Sequence, residues 1–379
     1  MPTEPSHRPS GIRLDPVAWA SIETPALVVD LGRMEAAIEQ MAATMRQRGV
    51  ALRPHAKTHK SLEVGRRQLA AGAVGLTVGT SGEAEVFAGQ GVHDLTIAYP
   101  VLARGAKADR LRRLVAGGTR LTVGVDSAQG VRLLGEALGA DSSRLHVLVE
   151  IDSGGRRTGV APEAAGVLAA LASEHGLTVD GVFTHGGHGY AGPSARSAAA
   201  DDEVSALSAA VASFQRVGLE ARVVSAGSTP TAAASARGVV TEERPGTYVF
   251  GDRQQVALGS IGPDAVAAVV LATVVSVDAG SRRFVIDAGA KVLGKDIAPY
   301  ILGHGELPDV GGAAVVRVYD YHGVVEPTSS GGSLPMVGDV VQVVPNHICP
   351  VVNLVDGFHV VTDGTVTGRW PVDARGRNG

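Results

Sequence analysis

Hydrophobic residues recur along the chain in a rhythm that changes once, near Gly251. From about Thr24 to Gly251, short β-branched runs alternate with longer segments that are rich in alanine, leucine, arginine and glutamate and have helical spacing. The strand candidates are residues 26–30, 50–57, 75–80, 94–99, 120–126, 146–152, 181–187 and 222–228. Because these runs end in polar or glycine residues, the alternation predicts a (β/α)8 TIM barrel rather than an open doubly wound sheet.

The chain after Gly251 has a different pattern of hydrophobic residues. Valine-rich segments follow one another without helical stretches between them, at residues 266–278, 283–293, 313–325, 338–354 and 358–370. This pattern predicts a C-terminal all-β domain. We therefore expect three parts: an N-terminal segment (1–22) that packs on the β domain, a barrel (23–255) and the β domain itself (256–379). The polar tail, residues 373–379, is expected to fray.

Composition and charge exclude some classes of partner. A formal net charge of -4 and a pI near 6.3 predict no binding to nucleic acid or to an anionic membrane. The longest apolar run, residues 265–275, is shorter than the roughly 18 residues that would suggest a membrane span. The first residues contain no apolar stretch typical of a signal peptide, so we expect a cytoplasmic protein. The single cysteine, Cys349, excludes an intramolecular disulfide.

The octapeptide RPHAKTHK, Arg53 to Lys60, carries five basic or titratable side chains. Side chains alternate in an extended strand, so Arg53, His55 and Lys57 should share one face and point into the barrel mouth. A lysine that is desolvated there beside other cations becomes a nucleophile able to form a Schiff base. The alternative is a solvated lysine at a strand end, and Lys60, which lies beyond the strand, fits that description.

The segment SAGSTPTAAASAR, Ser225 to Arg237, leads from a predicted strand through small hydroxyl residues into an alanine-rich helix. The backbone amides near Gly227, Ser228 and Thr229 could therefore hold a phosphate at the helix N-terminus. The segment follows the last predicted strand, where barrels commonly bind phosphate. The same residues also fit ordinary helix initiation.

The segment PNHICPVVN places His347 and Cys349 two residues apart in a predicted strand, so that both side chains project from one face. An imidazole and a thiolate together resemble a zinc-binding pair, and two protein ligands leave coordination positions open for substrate or water. The alternative is a buried structural cysteine beside an unrelated histidine.

Three further side chains are candidates for contacts with a cofactor. Arg157 in EIDSGGRRTG could bind an oxygen or ring nitrogen of an aromatic cofactor, and Tyr190 in THGGHGY could stack on it or donate a hydrogen bond. Tyr248 in ERPGTYVFGD is a second possible contact. Arg157 and Tyr190 could equally brace the glycine-rich loops that contain them.

In this order, the motifs TPALVVDL, RPHAKTHK, GSTPT, RPGTYVFGD and HIC resemble those of the D-serine dehydratase and D-threonine aldolase group, which are fold type III pyridoxal phosphate enzymes related to alanine racemase. The resemblance covers nearly the whole chain. It implies that Lys57 carries pyridoxal 5'-phosphate. With a cofactor on Lys57, the candidate cofactor contacts are His55, Arg157, Tyr190, Gly227, Ser228, Thr229 and Tyr248. His347 and Cys349 would hold a divalent metal, most readily zinc, with manganese or magnesium as alternatives.

The resemblance implies a homodimeric lyase that acts on D-β-hydroxy-α-amino acids. D-threonine aldolases typically have aspartate at the position of Cys349, whereas the dehydratases use His-x-Cys, and Tyr190 lies at a tyrosine position of the dehydratase form. We therefore expect a dehydratase of the D-serine or D-threo-3-hydroxyaspartate type, which produces an oxo acid and ammonia. The alternatives are a D-threonine aldolase that releases glycine and an aldehyde, an amino acid racemase with no need for metal, and a non-enzymatic cofactor carrier, which would lack the β domain.

Overall fold

The computed structural model describes residues 9–328 and 333–379. Within these residues the strands are β1 (Ala26–Asp30), β2 (Ala51–Leu52), β3 (Leu76–Val78), β4 (Asp94–Pro100), β5 (Arg120–Val125), β6 (Leu145–Glu150), β7 (Thr178–Phe183), β8 (Val223–Ala226), β9 (Glu242–Glu243), β10 (Ala268–Asp278), β11 (Arg283–Ile286), β12 (Gly305–Leu307), β13 (Ala313–Val318), β14 (Gly323–Glu326), β15 (Val340–Pro345), β16 (Gly357–Thr362) and β17 (Thr365–Pro371). The α-helices are α1 (Pro16–Ser21), α2 (Leu31–Arg48), α3 (Leu62–Ala70), α4 (Ser81–Ala88), α5 (Ala106–Ala116), α6 (Ala128–Leu138), α7 (Ala165–Glu174), α8 (Ala195–Arg216), α9 (Ala232–Ser235), α10 (Arg253–Ala257), α11 (Ala290–Leu293) and α12 (Ile348–Leu354).

Residues 51–243 form a curled sheet of eight parallel strands in the order β2-β9-β8-β7-β6-β5-β4-β3. Its two end strands also approach each other. The amide of Ala56 donates to the carbonyl of Thr77 at 2.7 Å, and the amide of Thr77 donates to that of Pro54 at 2.8 Å. Apolar side chains of the strands and of the helices between them form one continuous buried cluster. The predicted alternation of parallel strands and helices is confirmed.

Two strands differ from the prediction. Strand β1 was expected to belong to the barrel, but it pairs antiparallel with β10 and parallel with β16 in the second sheet. The parallel sheet instead contains β9, which was not predicted and is only two residues long. A short apolar run such as residues 26–30 suits a buried strand in either sheet, so its pattern could not identify the partners. As a consequence, the loop at Gly227 follows the seventh strand of the parallel sheet rather than the last.

The second sheet has the strand order β11-β14-β13-β12-β15-β10-β1-β16-β17 among the described residues, and only its β1–β16 pairing is parallel. The long strand β10 lies near its centre, and all of its first five residues are buried. In the core of this sheet the ring of Phe358 packs edge to face with the rings of Phe250 and Trp370. The predicted β-rich C-terminal region is confirmed.

The expectation that no helix interrupts these strands is wrong. Residues 338–354 were predicted as one strand, but β15 ends at Pro345 and helix α12 begins at Ile348. The buried carboxylate of Asp252 accepts the amide of Ile348 at 3.1 Å, and this contact satisfies one donor at the start of the helix. Because Asp252 lies almost a hundred residues away, a local pattern could not reveal it.

Both ends of the described chain are held by long-range contacts. The backbone of Ile12 makes two hydrogen bonds to the Gln342 side chain, at 2.7 and 2.9 Å, and residues 1–8 of the predicted N-terminal segment lie outside the described residues. At the other end, the amide of Ala374 donates to the carbonyl of Lys60 at 3.0 Å, and the side chain of Ala374 is fully buried. The expectation that the tail frays is therefore wrong. No helix in the described part of the chain is long and apolar enough to span a bilayer.

Candidate active site

A cavity of about 820 Å³ opens at the carboxyl ends of the parallel strands and brings together residues from both halves of the chain. Nine predicted site residues line it: His55, Lys57, Arg157, Tyr190, Gly227, Ser228, Thr229, His347 and Cys349. The cavity also contains residues that the sequence analysis did not select, among them Tyr99, His185, Arg244, Thr247, Asp296 and Asn353. The carboxyl end of a parallel barrel is where enzymes of this architecture place their chemistry.

The octapeptide leaves strand β2 early and turns, so its side chains do not share one face. His55 and Lys57 line the cavity, and the Lys57 amide lies 3.3 Å from Nδ1 of His55. Arg53 points into the sheet interior at the opposite end, where it bonds to Glu242 at 2.7 Å and to Asp94 at 2.5 Å. The expectation that all three side chains point to the mouth is thus wrong for Arg53, because two carboxylates bind it inside the sheet.

Two histidines beside Lys57 are held in the neutral form. Burial, and after it the Lys57 ammonium, lowers the pKa of His185 to about 3. The same two causes lower the pKa of His55 well below its usual value. His185 follows strand β7 and was not selected, although it lies within the THGGHGY motif. A neutral imidazole has one donor and one acceptor nitrogen. Nδ1 of His55 accepts the Lys57 amide and Nδ1 of His185 lies 3.5 Å from the Gly227 carbonyl, so Nε2 of each ring is the nitrogen left for a molecule in the cavity.

The loop after β8 is shaped around a buried carboxylate pair. Gly227 has φ +99°, and a Cβ there would lie 1.8 Å from Oε2 of Glu243. Its amide donates to Glu203 at 3.0 Å, and the same carboxylate oxygen accepts the amide of Gly186 at 2.8 Å. Burial raises the pKa of both glutamates, that of Glu243 strongly. Only glycine fits this position, since both the backbone conformation and the space exclude a side chain.

The expected helix after this loop is a single turn, α9. The Ser228 amide donates to Oγ1 of Thr231 at 3.1 Å, and the Tyr248 amide donates to Oγ1 of Thr229 at 3.1 Å. The amides of Gly227 and Ser228 therefore already have acceptors within the protein. The groups of this loop best placed to receive a phosphate are thus the hydroxyls of Ser228 and Thr229 together with the Thr229 amide.

The two predicted tyrosines lie in different places. Tyr190 lines the cavity, and burial together with the nearby Asp252 and Cys349 raises the pKa of its phenol. Tyr248 is 3% exposed, and its hydroxyl accepts a hydrogen bond from Gln68 at 3.0 Å. Its side chain belongs to the hydrophobic core of the second sheet and lines a separate cavity of about 440 Å³. The structure thus places the Tyr248 side chain away from the main cavity.

Two arginines differ in their exposure. The Arg157 side chain is 59% exposed and approaches Glu150 at 3.7 Å. Glu150 is buried, and this desolvation raises its pKa. Arg244 is buried at the floor of the cavity, where it donates to Oγ of Ser225 and to the carbonyl of Thr184. Arg244 lies in the quoted segment ERPGTYVFGD, but nothing local distinguishes it from a surface arginine.

His347 and Cys349 lie at the first turn of α12, with His347 as the N-cap, and not on one face of a strand as predicted. Nδ1 of His347 is 2.5 Å from Asp296, and the Cys349 sulfur is 3.3 Å from Oγ1 of Thr58. Burial lowers the pKa of His347, but Cys349 and Asp296 outweigh it and raise this pKa to about 11. Burial alone would raise the pKa of the Cys349 thiol, yet His347 beside it makes it lower than usual.

Few side chains that could bind a metal ion lie at the start of helix α12. In the described ranges, 9–328 and 333–379, no group of three or more His, Cys, Asp or Glu side chains could hold a metal ion. His347 and Cys349 could therefore supply two ligands, and the remaining positions would be open. The carboxylate of Asp296 on the second ring nitrogen of His347 is the arrangement that usually orients a metal-binding histidine.

Comparison with known proteins agrees with this architecture. Residues 29–254 match the family "Alanine racemase, N-terminal domain", and residues 267–361 match the "Putative serine dehydratase domain". A D-threonine aldolase from Arthrobacter sp. is 34% identical over 97% of this chain and 97% of its own length. The D-threo-3-hydroxyaspartate dehydratase of Delftia sp. (strain HT23) is 33% identical over 87% of this chain and 91% of its own length.

The solved structure of the Delftia dehydratase superimposes with a TM-score of 0.87 at 31% identity, covering 93% of this chain and 98% of that one. A cysteine-to-alanine variant of a D-threo-3-hydroxyaspartate dehydratase has also been solved in a metal-free form. The two domain matches, the near-complete coverage and the presence of the two sheets all indicate the same family. The chain therefore belongs to the D-threonine aldolase and D-threo-3-hydroxyaspartate dehydratase family of fold type III pyridoxal phosphate enzymes.

Proposed function

We propose that this protein is a metal-activated, pyridoxal phosphate-dependent lyase that eliminates water from a D-β-hydroxy-α-amino acid. Hydrolysis of the resulting enamine then gives an oxo acid and ammonia. The observation that carries the proposal is the meeting of Lys57, from the parallel sheet, with the His347–Cys349 pair of the second half in one cavity. A racemase or a cofactor carrier has no use for such a pair. The dehydratase and aldolase relatives both act on substrates of this class by name.

The cavity fits the cofactor. Its lining offers an amine at Lys57, hydroxyls at Ser228 and Thr229 for a phosphate, and Arg157 and Tyr190 for the ring. Gly227, in the same loop, packs against Glu243 with no room for a side chain, so this loop conformation requires glycine. Bound there, pyridoxal phosphate supplies an electron sink for the bond at the substrate Cα.

The chain's own residues divide the remaining work. The Lys57 amine would hold the cofactor and would be the group placed to take the α-proton of the substrate. His55 and His185 stay neutral because of burial and the Lys57 ammonium, so they hydrogen-bond to their partners without adding positive charge. Arg244 donates to Ser225 and supports the floor of the cavity below the loop that bears Ser228.

The His347–Cys349 pair fits a divalent cation, and we propose zinc, because imidazole and thiolate are the ligands that zinc prefers. A cation held by these two residues would supply a Lewis acid for the substrate β-hydroxyl, and hydroxide would then be a better leaving group. Asp296 fixes the orientation of the His347 ring, and Thr58 lies within hydrogen-bond reach of the Cys349 sulfur.

The deciding experiment is product analysis with D-serine, D-threonine and D-threo-3-hydroxyaspartate, each with added zinc and with a chelator. Zinc-dependent formation of ammonia and an oxo acid is expected. Zinc-dependent release of glycine and an aldehyde would replace the dehydratase assignment with an aldolase, because the same residues can polarise the hydroxyl for cleavage of the Cα–Cβ bond. Racemisation that survives the chelator would overturn both assignments.

We also propose that the protein is a homodimer. Large apolar side chains are exposed on the second half of the chain: Ile297, Leu302, Tyr319, Tyr321, Met336 and Val337. Surfaces of this kind commonly mark an interface. Sedimentation equilibrium should give twice the chain mass of 38.6 kDa, and a monomer would refute this point.

The cytoplasmic location stays a prediction, which fractionation of the source cells would test.

A further inference from the structure

Lys60 was expected to be solvated, and the structure shows the opposite. The side chain is buried, with 5% of the residue exposed. Its ammonium nitrogen bonds to Asn353 at 2.8 Å, to Asn378 at 2.8 Å and to Glu83 at 3.1 Å. An ammonium group has three N–H donors, so these three acceptors satisfy it completely. The backbone of Lys60 has φ +48°, a conformation that a non-glycine residue keeps only where its surroundings hold it.

The three acceptors belong to three separate parts of the protein. Glu83 is in helix α4 of the parallel-sheet half, and its second oxygen accepts the amide of Gly79 at 2.6 Å. Asn353 is in helix α12, one turn after Cys349. Gly79 and Asn353 both line the main cavity. Lys60 therefore joins the helix that carries the proposed metal pair to a wall of the same cavity.

The third acceptor belongs to the C-terminal tail, which lies along the parallel-sheet half. The Leu62 amide donates to Asp373 at 2.7 Å, next to the contact between Ala374 and Lys60. The Gly82 amide donates to the carbonyl of Gly379 at 3.0 Å, on the first turn of α4. These contacts hold the tail on both sides of Asn378 and bring its side chain to Lys60. The ordered conformation of the C-terminal tail therefore includes a direct contact with the buried ammonium group of Lys60.

We propose that Lys60, Glu83, Asn353 and Asn378, which we call the tail clamp, set the position of helix α12 and so the distance from the His347–Cys349 pair to Lys57. Lys60 is in this account a positioning residue, and the C-terminal tail is part of the architecture of the active site. The inference rests on the proposed function in one respect only, the assignment of a metal to His347 and Cys349. The clamp acts through packing and hydrogen bonds and touches no reacting atom.

The first test removes one acceptor at the edge of the clamp. Asn378→Ala should weaken zinc binding to the cofactor-loaded protein about fivefold, less than the effect of about 10- to 100-fold for residues that contact a metal ligand directly, because Asn378 acts through Lys60 and Asn353. Asn378→Asp keeps an acceptor oxygen and should restore the affinity to within about twofold. Arg377→Ala is the matched control, since it changes a neighbouring exposed side chain and leaves Asn378 in place. Zinc affinity is measured by titration calorimetry after chelation and dialysis, and cofactor content by visible absorbance.

A second variant removes the charges without leaving one of them unpaired. Lys60→Met combined with Glu83→Gln should keep the fold, because both members of the buried pair become neutral. Hydrogen exchange of the α12 amides, measured without metal, should rise at least tenfold, while cofactor uptake stays at the wild-type level. Unchanged exchange in α12, or unchanged zinc affinity in both this variant and Asn378→Ala, would overturn the clamp. Wild-type protein that takes up cofactor but no zinc would instead refute the metal assignment, and the exchange result would then decide the clamp alone.

Discussion

The two ends of the parallel sheet use charged residues in opposite ways. At the amino ends of the strands, Arg53 is bonded to Glu242 and Asp94, and Asp180 accepts from His146 at 2.8 Å and from Arg222 at 2.9 Å. Every one of these charges has a partner at hydrogen-bond distance. At the carboxyl ends, the histidines beside Lys57 are kept neutral and the cavity stays open to a ligand.

This difference indicates that the two ends of the strands have different roles, one in stability and the other in ligand binding. Paired charges at the amino ends gain most of their possible interactions within the protein, so they stabilise the fold and offer little to a ligand. Residues at the carboxyl ends have part of their hydrogen-bonding capacity left for a ligand. Changes at the two ends should therefore separate: one end should alter stability and the other should alter activity.

The largest expected effect is that of Lys57→Ala. It should reduce turnover about 10²- to 10⁴-fold, the range for loss of a positioned proton-transfer group. The other lysine of the octapeptide, Lys60, cannot replace it, because its ammonium group is bound to Asn353, Asn378 and Glu83. The melting temperature without cofactor should stay within a few degrees of the wild type. Steady-state rates and thermal melts check both statements. A large loss of stability would mean that the carboxyl end is also structural.

Arg53→Met should have the largest effect on stability. The substitution leaves the buried Glu242 without its cationic partner, and breaking such a pair typically costs about 3–5 kcal/mol. Chemical denaturation of the two proteins gives the difference in the free energy of unfolding. The folded fraction should keep its cofactor affinity, and a selective loss of cofactor binding would contradict the proposed separation of roles.

Gly227→Ala should weaken cofactor binding about 10- to 100-fold, because a Cβ at φ +99° costs roughly 1–2 kcal/mol and would also collide with Glu243. Cofactor titration followed by visible absorbance measures the change. Gly218→Ala is the control, since it has a φ of +75° but nothing lies within 4 Å of its Cβ. Equal effects of the two substitutions would show that general backbone strain, rather than the cofactor loop, is responsible.

Asp180→Asn should have the smallest effect, about 1.5–3 kcal/mol, the usual range for hydrogen bonds to a charged group. Burial raises the pKa of Asp180, but His146, Arg222 and Arg120 outweigh it and hold this pKa below 3.8. The stabilisation is therefore complete above about pH 4 and is lost as the pH falls through the lowered value. The free energies of unfolding of the wild type and of Asp180→Asn are measured between pH 6 and pH 3. The difference between the two proteins should become smaller only at the acid end of this range.

The order of the sequence motifs, through its resemblance to a known family, selected Lys57, His347 and Cys349, and the structure brings these three residues to one cavity. The alternation of strands and helices was also readable, since it depends on the periodicity of neighbouring residues. Arg244 was missed because it is distinguished only by its burial. Tyr248 was selected from the same segment, and the structure turns its side chain into the core of the second sheet.

The amino-acid sequence by itself determined the order of strands and helices, the β-rich second half and the motifs that carry the chemistry, because these depend on residues close together in the chain. The tertiary structure alone decided that β1 joins the second sheet, that His347 and Cys349 begin a helix, and that Lys60 is buried. Each of these outcomes depends on a distant partner, such as Asn378, which lies 318 positions from Lys60. Local periodicity carries no information about such pairs, and only the packed chain brings them together.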